Sequence, residues 1–323
     1  MTKNVLITGG AGFIGRYLSD LYLSKGFNVF ILDNLSTGNI QNINYLKTKY
    51  IKNKNRLRFV RSNVENYKFL RREIKKSSLV IHLAAAVGVK TILNKPIQSM
   101  KSNLRATEKV LESCKFFKKP IFFASTSEVY GKSNKSSFVE DDDVTYGCSK
   151  KIRWSYATSK LLDEFMVLSY FNEYKLPVVV GRLFNTVGKH QSSNYGMVIP
   201  RFFSQALNNK DITVHGTGKQ SRTFTDVEEV CECIYLLMNN KKSYGEVVNI
   251  GGKKDIMILN LAKKIVKLTK SKSKIKIIPY NQAYSSIYED MNFRNPSTKK
   301  LNKLIKKTPK LNIDQILKKI ISS

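Results

Sequence analysis

A tyrosine and a lysine stand four residues apart in the segment Tyr156-Ala-Thr-Ser-Lys160. On a helix this spacing places both side chains on one face. An ammonium group beside a phenol stabilises the phenolate, so it lowers the pKa of the phenol from its ordinary value of about 10. We therefore predict that Tyr156 is a general base near neutral pH. Thr126, which lies earlier in the chain, could hold and relay the proton of the same substrate hydroxyl.

A glycine-rich turn, Gly9-Gly-Ala-Gly12-Phe-Ile-Gly15, follows an apolar run and precedes a helical pattern. Such a turn lets the backbone approach a diphosphate, and the free N–H groups of the helix point towards it. The spacing is one residue longer than the usual dinucleotide fingerprint, so the position between strand and helix carries the prediction. Asp33 ends the next strand, where a carboxylate accepts hydrogen bonds from a ribose and repels a 2′-phosphate. NAD is therefore favoured over NADP, with Arg16 as the residue that argues against it.

Alternating strand and helix patterns position these residues in the first half of the chain. The apolar runs predict strands at 4–8, 28–33, 56–60, 79–83, 120–124 and 177–181, and helices at 13–25, 64–76, 96–118 and 154–174. Strands that are apolar throughout and separated by helices indicate a parallel sheet covered on both faces. The predicted fold class is a doubly wound, Rossmann-like α/β fold.

The alternation weakens after residue 185. We predict a helix at 201–208, a strand at 212–216, a return to the nucleotide-binding core at 224–239, and a Lys-rich helical tail with one strand at 274–279. The predicted NAD-binding core therefore spans 1–185, with 224–250 returning to it. A smaller C-terminal α/β part, built from 186–223 and 251–323, is predicted to bind the substrate.

The composition argues against several classes of protein. The formal net charge is +32, but the lysines are scattered, so an A/T-rich genome explains them more simply than specific nucleic-acid binding. No run approaches the roughly 18 apolar residues of a membrane span, and no signal-peptide pattern opens the sequence. Four cysteines and three histidines are too few for a disulfide framework or a metal cluster. We expect a cytoplasmic protein with free thiols, without metal, membrane or specific nucleic-acid partners.

The glycine turn, Ser125-Thr126-Ser127-Glu128 and the Tyr156/Lys160 pair occur together in a recognisable order. The chain resembles the extended short-chain dehydrogenase/reductase family over nearly its whole length, specifically the NAD-dependent nucleotide-sugar epimerase, dehydratase and decarboxylase branch. The resemblance implies that Thr126, Ser127, Glu128, Tyr156 and Lys160 are catalytic. It also implies that NAD is bound by Tyr156 and Lys160 together with Gly9, Gly12, Phe13, Ile14, Gly15, Asp33, Asn34, Ser36, Thr37, Gly38, Asn63, Val64, Leu83, Ala84, Ala85 and Asn103.

The resemblance further implies a UDP-sugar substrate and a homodimer. The residues expected to bind the substrate are Val87, Thr126, Asn185, Val198, Arg201, Val214, Arg222 and Arg294. Family members commonly pair through the helices equivalent to 96–118 and 154–174, where the apolar surface could come from Phe116, Phe117, Leu161, Leu162, Phe165 and Leu168. The chain departs from the family pattern at Asn63, where an acid is common, and at Gly188-Lys189, where Gly-Pro is common.

Ser127 bears on which reaction follows. Dehydratases of the branch that act at C4 and C6 carry an acid at this position, which protonates the leaving hydroxyl. The segments around Ser127 and Tyr156 and the segment 288–296 are more similar to UDP-glucuronate decarboxylases and to some UDP-glucuronate 4-epimerases. Arg294 would then either clamp the diphosphate or lie near the sugar carboxylate.

Members of the branch share a first step in which Tyr156 would remove the proton of the C4 hydroxyl and Lys160 would orient the nicotinamide ribose. A carboxylate on C5 then leads to loss of CO2, and rotation of the sugar leads to inversion at C4. Removal of the C5 proton by Glu128 would instead eliminate water, by a 4,6- or 5,6-route, for example on a UDP-N-acetylhexosamine. A dehydrogenase that releases NADH and a non-catalytic dinucleotide sensor are the alternatives from other classes.

Overall fold

A parallel β-sheet forms the centre of the protein. We describe the chain from a computed structural model, which covers residues 3–86, 94–133, 135–193, 196–283, 289–291 and 293–322. The strands are β1 (Asn4–Thr8), β2 (Asn28–Asp33), β3 (Leu57–Arg61), β4 (Leu79–His82), β5 (Ile121–Thr126), β6 (Val178–Leu183), β7 (Thr186–Val187), β8 (Ile212–His215), β9 (Ser221–Thr223), β10 (Thr225–Asp226), β11 (Glu246–Ile250), β12 (Asp255–Met257) and β13 (Ile275–Ile278).

Helices connect these strands and cover the sheet. The α-helices are α1 (Phe13–Ser24), α2 (Ile40–Lys49), α3 (Leu70–Lys76), α4 (Pro96–Phe117), α5 (Trp154–Tyr174), α6 (Val198–Leu207), α7 (Val227–Met238), α8 (Ile258–Thr269), α9 (Tyr280–Ala283), α10 (Lys299–Ile305) and α11 (Ile313–Ile321). Short 3₁₀-helices lie at Ile51–Arg56, Ser127–Tyr130 and Lys241–Ser243.

The central sheet has, within the described residues, seven strands in the order β11-β6-β5-β4-β1-β2-β3. Every neighbouring pair in it is parallel. The order reverses at β1, which lies between β2 and β4. In open α/β sheets the crevice at such a reversal, at the carboxyl ends of the strands, is where ligands bind. The observed architecture confirms the predicted Rossmann-like fold class.

Both faces of the sheet are buried, which explains why its strands are apolar throughout. Alternate residues of β1 enter different cores: Val5 and Ile7 pack with α1 and α7, whereas Leu6 packs with α3, α4 and α5. A third core joins α6, α8 and α11 in the C-terminal part of the chain. The division of the chain into two functional parts stays a prediction.

The predicted element bounds were most in error between β3 and β4. The helix expected at 64–76 begins only at Leu70. The preceding residues form turns, in which the N–H of Asn66 bonds to the carbonyl of Asn63 and the N–H of Tyr67 to that of Val64. Such local turn hydrogen bonds replace the first turns of the expected helix.

All four cysteines lie within the described residues as free thiols, with Cys148 exposed and the others buried. In the described ranges, no helix has both the length and the apolar character needed to cross a membrane. No group of three or more His, Cys, Asp or Glu side chains in those ranges is arranged to hold a metal ion.

Candidate active site

A cavity of about 1050 Å³ opens at the carboxyl ends of β1, β2, β4 and β5. One side of its wall is the glycine turn and the loops after β2 and β4, and the other side comes from α6 and the loops before β10 and α10. The predicted catalytic tyrosine lies between the two sides. The cavity is therefore long enough to bring a cofactor and a substrate together.

The glycine turn packs so closely that two of its positions admit no side chain. Gly9 has φ +73°, and a Cβ there would lie 2.8 Å from the Ala84 nitrogen. A Cβ on Gly15 would lie 2.2 Å from the Gly9 carbonyl oxygen. This packing starts α1 directly behind the turn, with Gly12 as the N-cap. The first-turn residues line the cavity, and their N–H groups have no acceptor within the helix.

Asp33 is buried at the end of β2 and lines the cavity. Its Oδ2 accepts a hydrogen bond from the Ala11 N–H at 3.0 Å, and its Oδ1 accepts one from the Leu35 N–H at 2.7 Å. Burial raises the pKa of this carboxyl, and the backbone hydrogen bonds oppose that rise. The carboxylate is thus fixed where a ribose would be recognised.

The cavity has the features that a dinucleotide requires. Asn103 is buried, its Oδ1 accepts the Ala86 N–H at 2.7 Å, and its Nδ2 has no hydrogen-bond acceptor within the described residues. Most of the predicted NAD residues line the wall, namely Gly9, Gly12, Phe13, Ile14, Gly15, Asp33, Asn34, Ser36, Thr37, Asn63, Val64, Leu83, Ala84, Ala85, Asn103 and Tyr156. Gly38 lies behind the wall beside Asp33. The residues present therefore fit a dinucleotide.

Arg16 also lines this end of the cavity. Its guanidinium lies 4.0 Å from the ring centroid of Tyr45, and its Nη1 donates to Asn42 Oδ1 at 3.3 Å. The sequence analysis considered Arg16 only as a residue that could bind the 2′-phosphate of NADP.

Tyr156 and Lys160 lie one turn apart on α5, but only Tyr156 lines the cavity. Lys160 is behind it, with Nζ 3.8 Å from the Phe123 ring centroid and 3.6 Å from Asp163 Oδ2. Burial raises the pKa of Tyr156, with Glu128 and Asp163 adding to the rise and Arg294 opposing it. Lys160 is not among the groups that shift the pKa of Tyr156 in the protein chain alone, so its predicted effect on this pKa stays a prediction.

Three predicted catalytic residues follow β5 directly. Thr126 caps the 3₁₀-helix Ser127–Tyr130, because its Oγ1 accepts the Glu128 N–H at 3.3 Å. Ser127 is fully buried and does not line the cavity. Its Oγ instead accepts hydrogen bonds from Nη2 and Nε of Arg294, at 2.7 and 3.2 Å. Ser127 can therefore act on the cavity through the guanidinium that it holds.

Three guanidinium groups and two carboxylates meet in the middle of the cavity. Glu128 lies between Arg153 and Arg294, with N–O distances of 3.6 and 3.7 Å. Asp290 lies between Arg153 and Arg222, at 3.4 and 2.9 Å. The cluster carries an excess of positive charge, which favours an anionic substrate group.

Burial sets the electrostatics of this cluster. It lowers the pKa of Arg294 to about 10, although the charge of Glu128 opposes the change. Burial alone would raise the pKa of Asp290, but the charges of Arg222 and Arg153 lower it overall. Both groups are therefore ionised near neutral pH, and their burial strengthens the charge interactions between them.

Glu289 and Asp290 contact the beginning of α5. The indole Nε1 of Trp154 donates a hydrogen bond to Glu289 Oε2 at 2.9 Å, next to the ion pair of Arg153 with Asp290. Sequence reasoning assigned no role to Arg153 or Asp290. The only available signal for Arg153 was its place immediately before the helix of the catalytic tyrosine.

The residues predicted to bind the substrate are partly brought together. Asn185, Val198, Arg201, Arg222, Arg294 and Thr126 all line the cavity. Val87 lies outside the described residues. The prediction that Val214 binds the substrate is wrong, because this residue is fully buried in the core of α6, α8 and α11. Successive side chains of a strand point to opposite faces, and the next residue, His215, lines the cavity instead.

Comparisons with known proteins decide the family. A family model described as GDP-mannose 4,6 dehydratase matches residues 6–320. A UDP-N-acetyl-alpha-D-glucosaminuronate decarboxylase from Bacillus cytotoxicus is 38% identical over 323 residues, which cover 99% of this chain and 97% of that protein. The chain belongs to the extended short-chain dehydrogenase/reductase family.

Further members of this family are similar over the whole chain. UDP-glucuronic acid decarboxylase 1 from Danio rerio is 32% identical over 321 residues, covering 99% of this chain and 72% of that protein. A structure of a UDP-glucuronic acid 4-epimerase variant from Bacillus cereus, in complex with UDP-4-deoxy-4-fluoro-glucuronic acid and NAD, superposes with a TM-score of 0.87 at 26% identity. The superposition covers 98% of this chain and 97% of the chain of the epimerase.

This member of the family is an NAD-dependent nucleotide-sugar-modifying enzyme of the epimerase, dehydratase and decarboxylase branch. The predicted family, enzyme class and cofactor are thus confirmed, and a non-catalytic sensor is not retained. The roles of the individual site residues stay predictions.

Proposed function

We propose that the protein is a UDP-hexuronic acid decarboxylase. The observation that carries the proposal is the buried guanidinium of Arg294, held by Ser127 and paired with Glu128 at the centre of the cavity. Ser127 stands where C4/C6 dehydratases of the branch carry the acid that protonates the leaving hydroxyl. A serine that fixes an arginine cannot supply that proton, but the arginine can bind a carboxylate through two parallel hydrogen bonds.

The chain's own residues account for the first proton transfer of such a reaction. NAD, when bound, supplies a reversible hydride acceptor at C4 of the sugar. Tyr156 accepts the proton of the C4 hydroxyl, and Thr126 orients that hydroxyl. Oxidation at C4 makes a substrate with a carboxylate on C5 a β-keto acid. The bond between C5 and the carboxylate then breaks, CO2 leaves, and the electron pair delocalises into the C4 ketone.

Completion of the reaction requires a proton at C5 and return of the hydride to C4. The product is a UDP-pentose, and the cofactor ends each turnover as NAD. Glu128 lies between the guanidinium groups of Arg294 and Arg153. We therefore place the sugar carboxylate near Arg294 and the diphosphate nearer Arg222 and Asn185.

The relatives narrow the choice of hexuronic acid. The Bacillus cytotoxicus relative, at 38% identity over 97% of its length, acts on UDP-N-acetyl-glucosaminuronate by its name. UDP-glucuronic acid is the substrate named for the Danio rerio relative, at 32% identity. We propose UDP-N-acetylglucosaminuronate as the first substrate to test and UDP-glucuronate as the second.

Inversion at C4 without loss of CO2 is the second candidate function. It is supported by the superposition on the UDP-glucuronic acid 4-epimerase, with a TM-score of 0.87. This route needs the 4-keto sugar to rotate so that the hydride returns to its other face. A carboxylate held by Arg294 would oppose that rotation, which is why decarboxylation stands first.

A proton NMR time course of the purified protein with NAD and each UDP-hexuronate tests the proposal. Anomeric signals of a UDP-pentose, together with released CO2, are the expected result. A UDP-hexuronate inverted at C4 would instead support the epimerase. No change with either acid, and water loss from a UDP-N-acetylhexosamine, would contradict both.

The variant Arg294→Met tests whether Arg294 binds the carboxylate of the substrate. We expect it to bind NAD with unchanged affinity but to lose decarboxylation by about 10²-fold or more, since one charge-assisted contact to the reacting group is removed. A variant that decarboxylates at the wild-type rate would remove Arg294 from the carboxylate site.

We also propose that the protein is a homodimer in the cytoplasm. Phe116 on α4 and Leu162 and Phe165 on α5 are all at least half exposed, on neighbouring helices. Phe117 and Leu168 pack against the core under these helices, and Leu161 packs against the cluster around Tyr130. The exposed three therefore support a pairing surface, whereas the other three are chiefly core. A cytoplasmic location is supported by the free cysteines.

A further inference from the structure

A buried carboxylate lies next to the catalytic lysine. Asp163 is 0% exposed and Lys160 is 3% exposed, and both project from α5. The Lys160 ammonium lies 3.6 Å from Asp163 Oδ2 and 3.8 Å from the Phe123 ring centroid. An isolated charge in such surroundings is strongly destabilised, so each of these two groups depends on the other for a counter-charge.

The other titratable groups around Lys160 are satisfied elsewhere. Glu164 forms a bidentate ion pair with Arg182, at 2.8 Å for the closest contact, and also accepts from Ser125. His82 is buried, and burial lowers its pKa to about 3, so it is neutral. Asp163 is therefore the carboxylate that forms an ion pair with Lys160, and the charge of Glu164 also raises the pKa of the lysine.

Two side chains lie between this pair and the sheet. His82 Nδ1 lies 2.7 Å from Thr8 Oγ1, and His82 Nε2 lies 3.4 Å from Thr107 Oγ1. The Thr107 hydroxyl donates to the Asn103 carbonyl at 3.0 Å, and Thr107 lowers the pKa of Asp163, which burial raises. Within the described residues neither Asp163 oxygen has a hydrogen-bond partner, so the ammonium of Lys160 is the group that compensates its charge.

We propose that Asp163 is a positioning residue that acts through Lys160, as the counter-ion that keeps the ammonium group charged and in place one turn from Tyr156. The inference rests on the proposed role of Lys160 in holding NAD. Burial by itself lowers the pKa of Lys160, and Asp163 is the strongest of the groups that oppose this change. The groups that act on the pKa of Tyr156 are Glu128, Asp163 and Arg294.

Removal of the charge of Asp163 should make NAD binding dependent on pH. In Asp163→Asn the pKa of Lys160 should fall further, because the strongest group that opposes the effect of burial is removed, so the lysine would lose its proton at a lower pH than in the wild type. We expect the Kd for NAD to rise about tenfold per pH unit above that pKa, with proton uptake on binding. Burial lowers the pKa of Lys160 in the wild type as well, so wild-type protein and Asp163→Glu, which retains the charge, should lose affinity only at a higher pH.

Isothermal titration calorimetry with NAD from pH 6 to 9, in two buffers of different ionisation enthalpy, measures the Kd for NAD and the number of protons taken up on binding. The control is Glu140→Gln, which removes another buried carboxylate, one that accepts the Asn249 N–H at 2.8 Å. Equal and pH-independent NAD affinity in Asp163→Asn and wild type would overturn the proposal. If Lys160→Met also binds NAD like the wild type, the role assigned to Lys160 has failed; if it binds weakly, only the role of Asp163 has failed.

Thermal unfolding supplies a readout that needs no NAD and no activity. Lys160→Met leaves Asp163 buried without its counter-charge, so the double variant with Asp163→Asn should have a higher Tm than Lys160→Met alone. The loss of Tm in Asp163→Asn should also shrink at pH 10, where Lys160 can be neutral. Additive losses that are independent of pH would show that Asp163 only packs, and would overturn the proposal.

Discussion

At the scale of single residues, the site depends on how buried charges are paired. Tyr156 has a pKa raised by burial and by two carboxylates, Glu128 and Asp163. The chain alone therefore favours the protonated phenol. Positive charge is needed nearby to favour the phenolate, and Arg294 is the group that acts in this direction.

The variant Tyr156→Phe should abolish turnover and leave NAD binding intact. The phenol oxygen is the proposed proton acceptor, and loss of a general base lowers a rate by about 10²–10⁴-fold. Turnover is followed by NMR and NAD affinity by calorimetry. Tyr174→Phe, an exposed tyrosine at the end of the same helix, is the control. Substantial activity in Tyr156→Phe would exclude this residue as the base.

Residues whose chemistry depends on local spacing were predictable from the sequence. Tyr156, Lys160 and the glycine turn each need only a short pattern and a helix. Arg153, Asp163 and Asp290 were not recognised, because their importance depends on charges that the fold brings from distant segments. The prediction for Val214 failed for a different reason. Neighbouring residues of a strand face opposite sides, so an error of one residue replaces a side chain of the cavity wall by one of the core.

At the scale of elements, a buried ion pair fixes α5, the helix that carries Tyr156, to the sheet. Arg182 on β6 makes bidentate hydrogen bonds to Glu164 on α5, and Ser125 on β5 donates to the same carboxylate. Arg182 also donates to the Glu140 carbonyl at 2.9 Å. These bonds set the position of α5, and thereby of Tyr156, relative to the end of β5.

Replacement of Arg182 by methionine should destabilise the protein strongly. It leaves Glu164 buried without a counter-charge, which typically costs about 3–5 kcal/mol. Urea unfolding measures the change. Arg58→Met removes an exposed guanidinium from Glu73, which keeps Arg72, and should cost about 1 kcal/mol or less. Equal losses in the two variants would contradict this account.

The six strands that the sequence predicted for the central sheet lie within two residues of their observed bounds, whereas the helix predicted at 201–208 begins three residues earlier, at Val198. The strands of the central sheet are apolar because both of their faces are covered. The helix α2 was not predicted, although Asn39 caps it by accepting the Gln41 N–H at 2.9 Å, and asparagine is a preferred N-cap. The helix has no clear apolar pattern in the sequence, because only three of its residues are buried: Asn42, Ile43 and Leu46.

At the scale of the whole molecule, the cavity joins segments that are far apart in the sequence. Glu128 comes from the 3₁₀-helix after β5 and Arg153 from the start of α5, whereas Arg222 comes from β9 and Arg294 from the segment before α10. The ion pairs of these residues with Glu128 and Asp290 connect the segments that line the cavity. The substrate region therefore forms only when the C-terminal segments pack on the sheet.

The exposed apolar residues of α4 and α5 predict a self-associating surface. Replacement of Leu162 and Phe165 together by glutamate should convert a dimer to a monomer, because charges would be buried at the contact. Light scattering after size-exclusion chromatography measures the mass. Leu207→Glu, at an exposed apolar position on α6, should leave the mass unchanged. A monomeric wild type would rule out the pairing surface.

The chain contains one tryptophan, and it is Trp154, whose indole nitrogen donates to Glu289 where the C-terminal segment meets the catalytic helix. The emission of an indole depends on the polarity and hydrogen bonding around it. Intrinsic fluorescence excited at the red edge therefore reports on a single place in this protein. A shift of that emission would reveal rearrangement beside the charged cluster in real time, without any label.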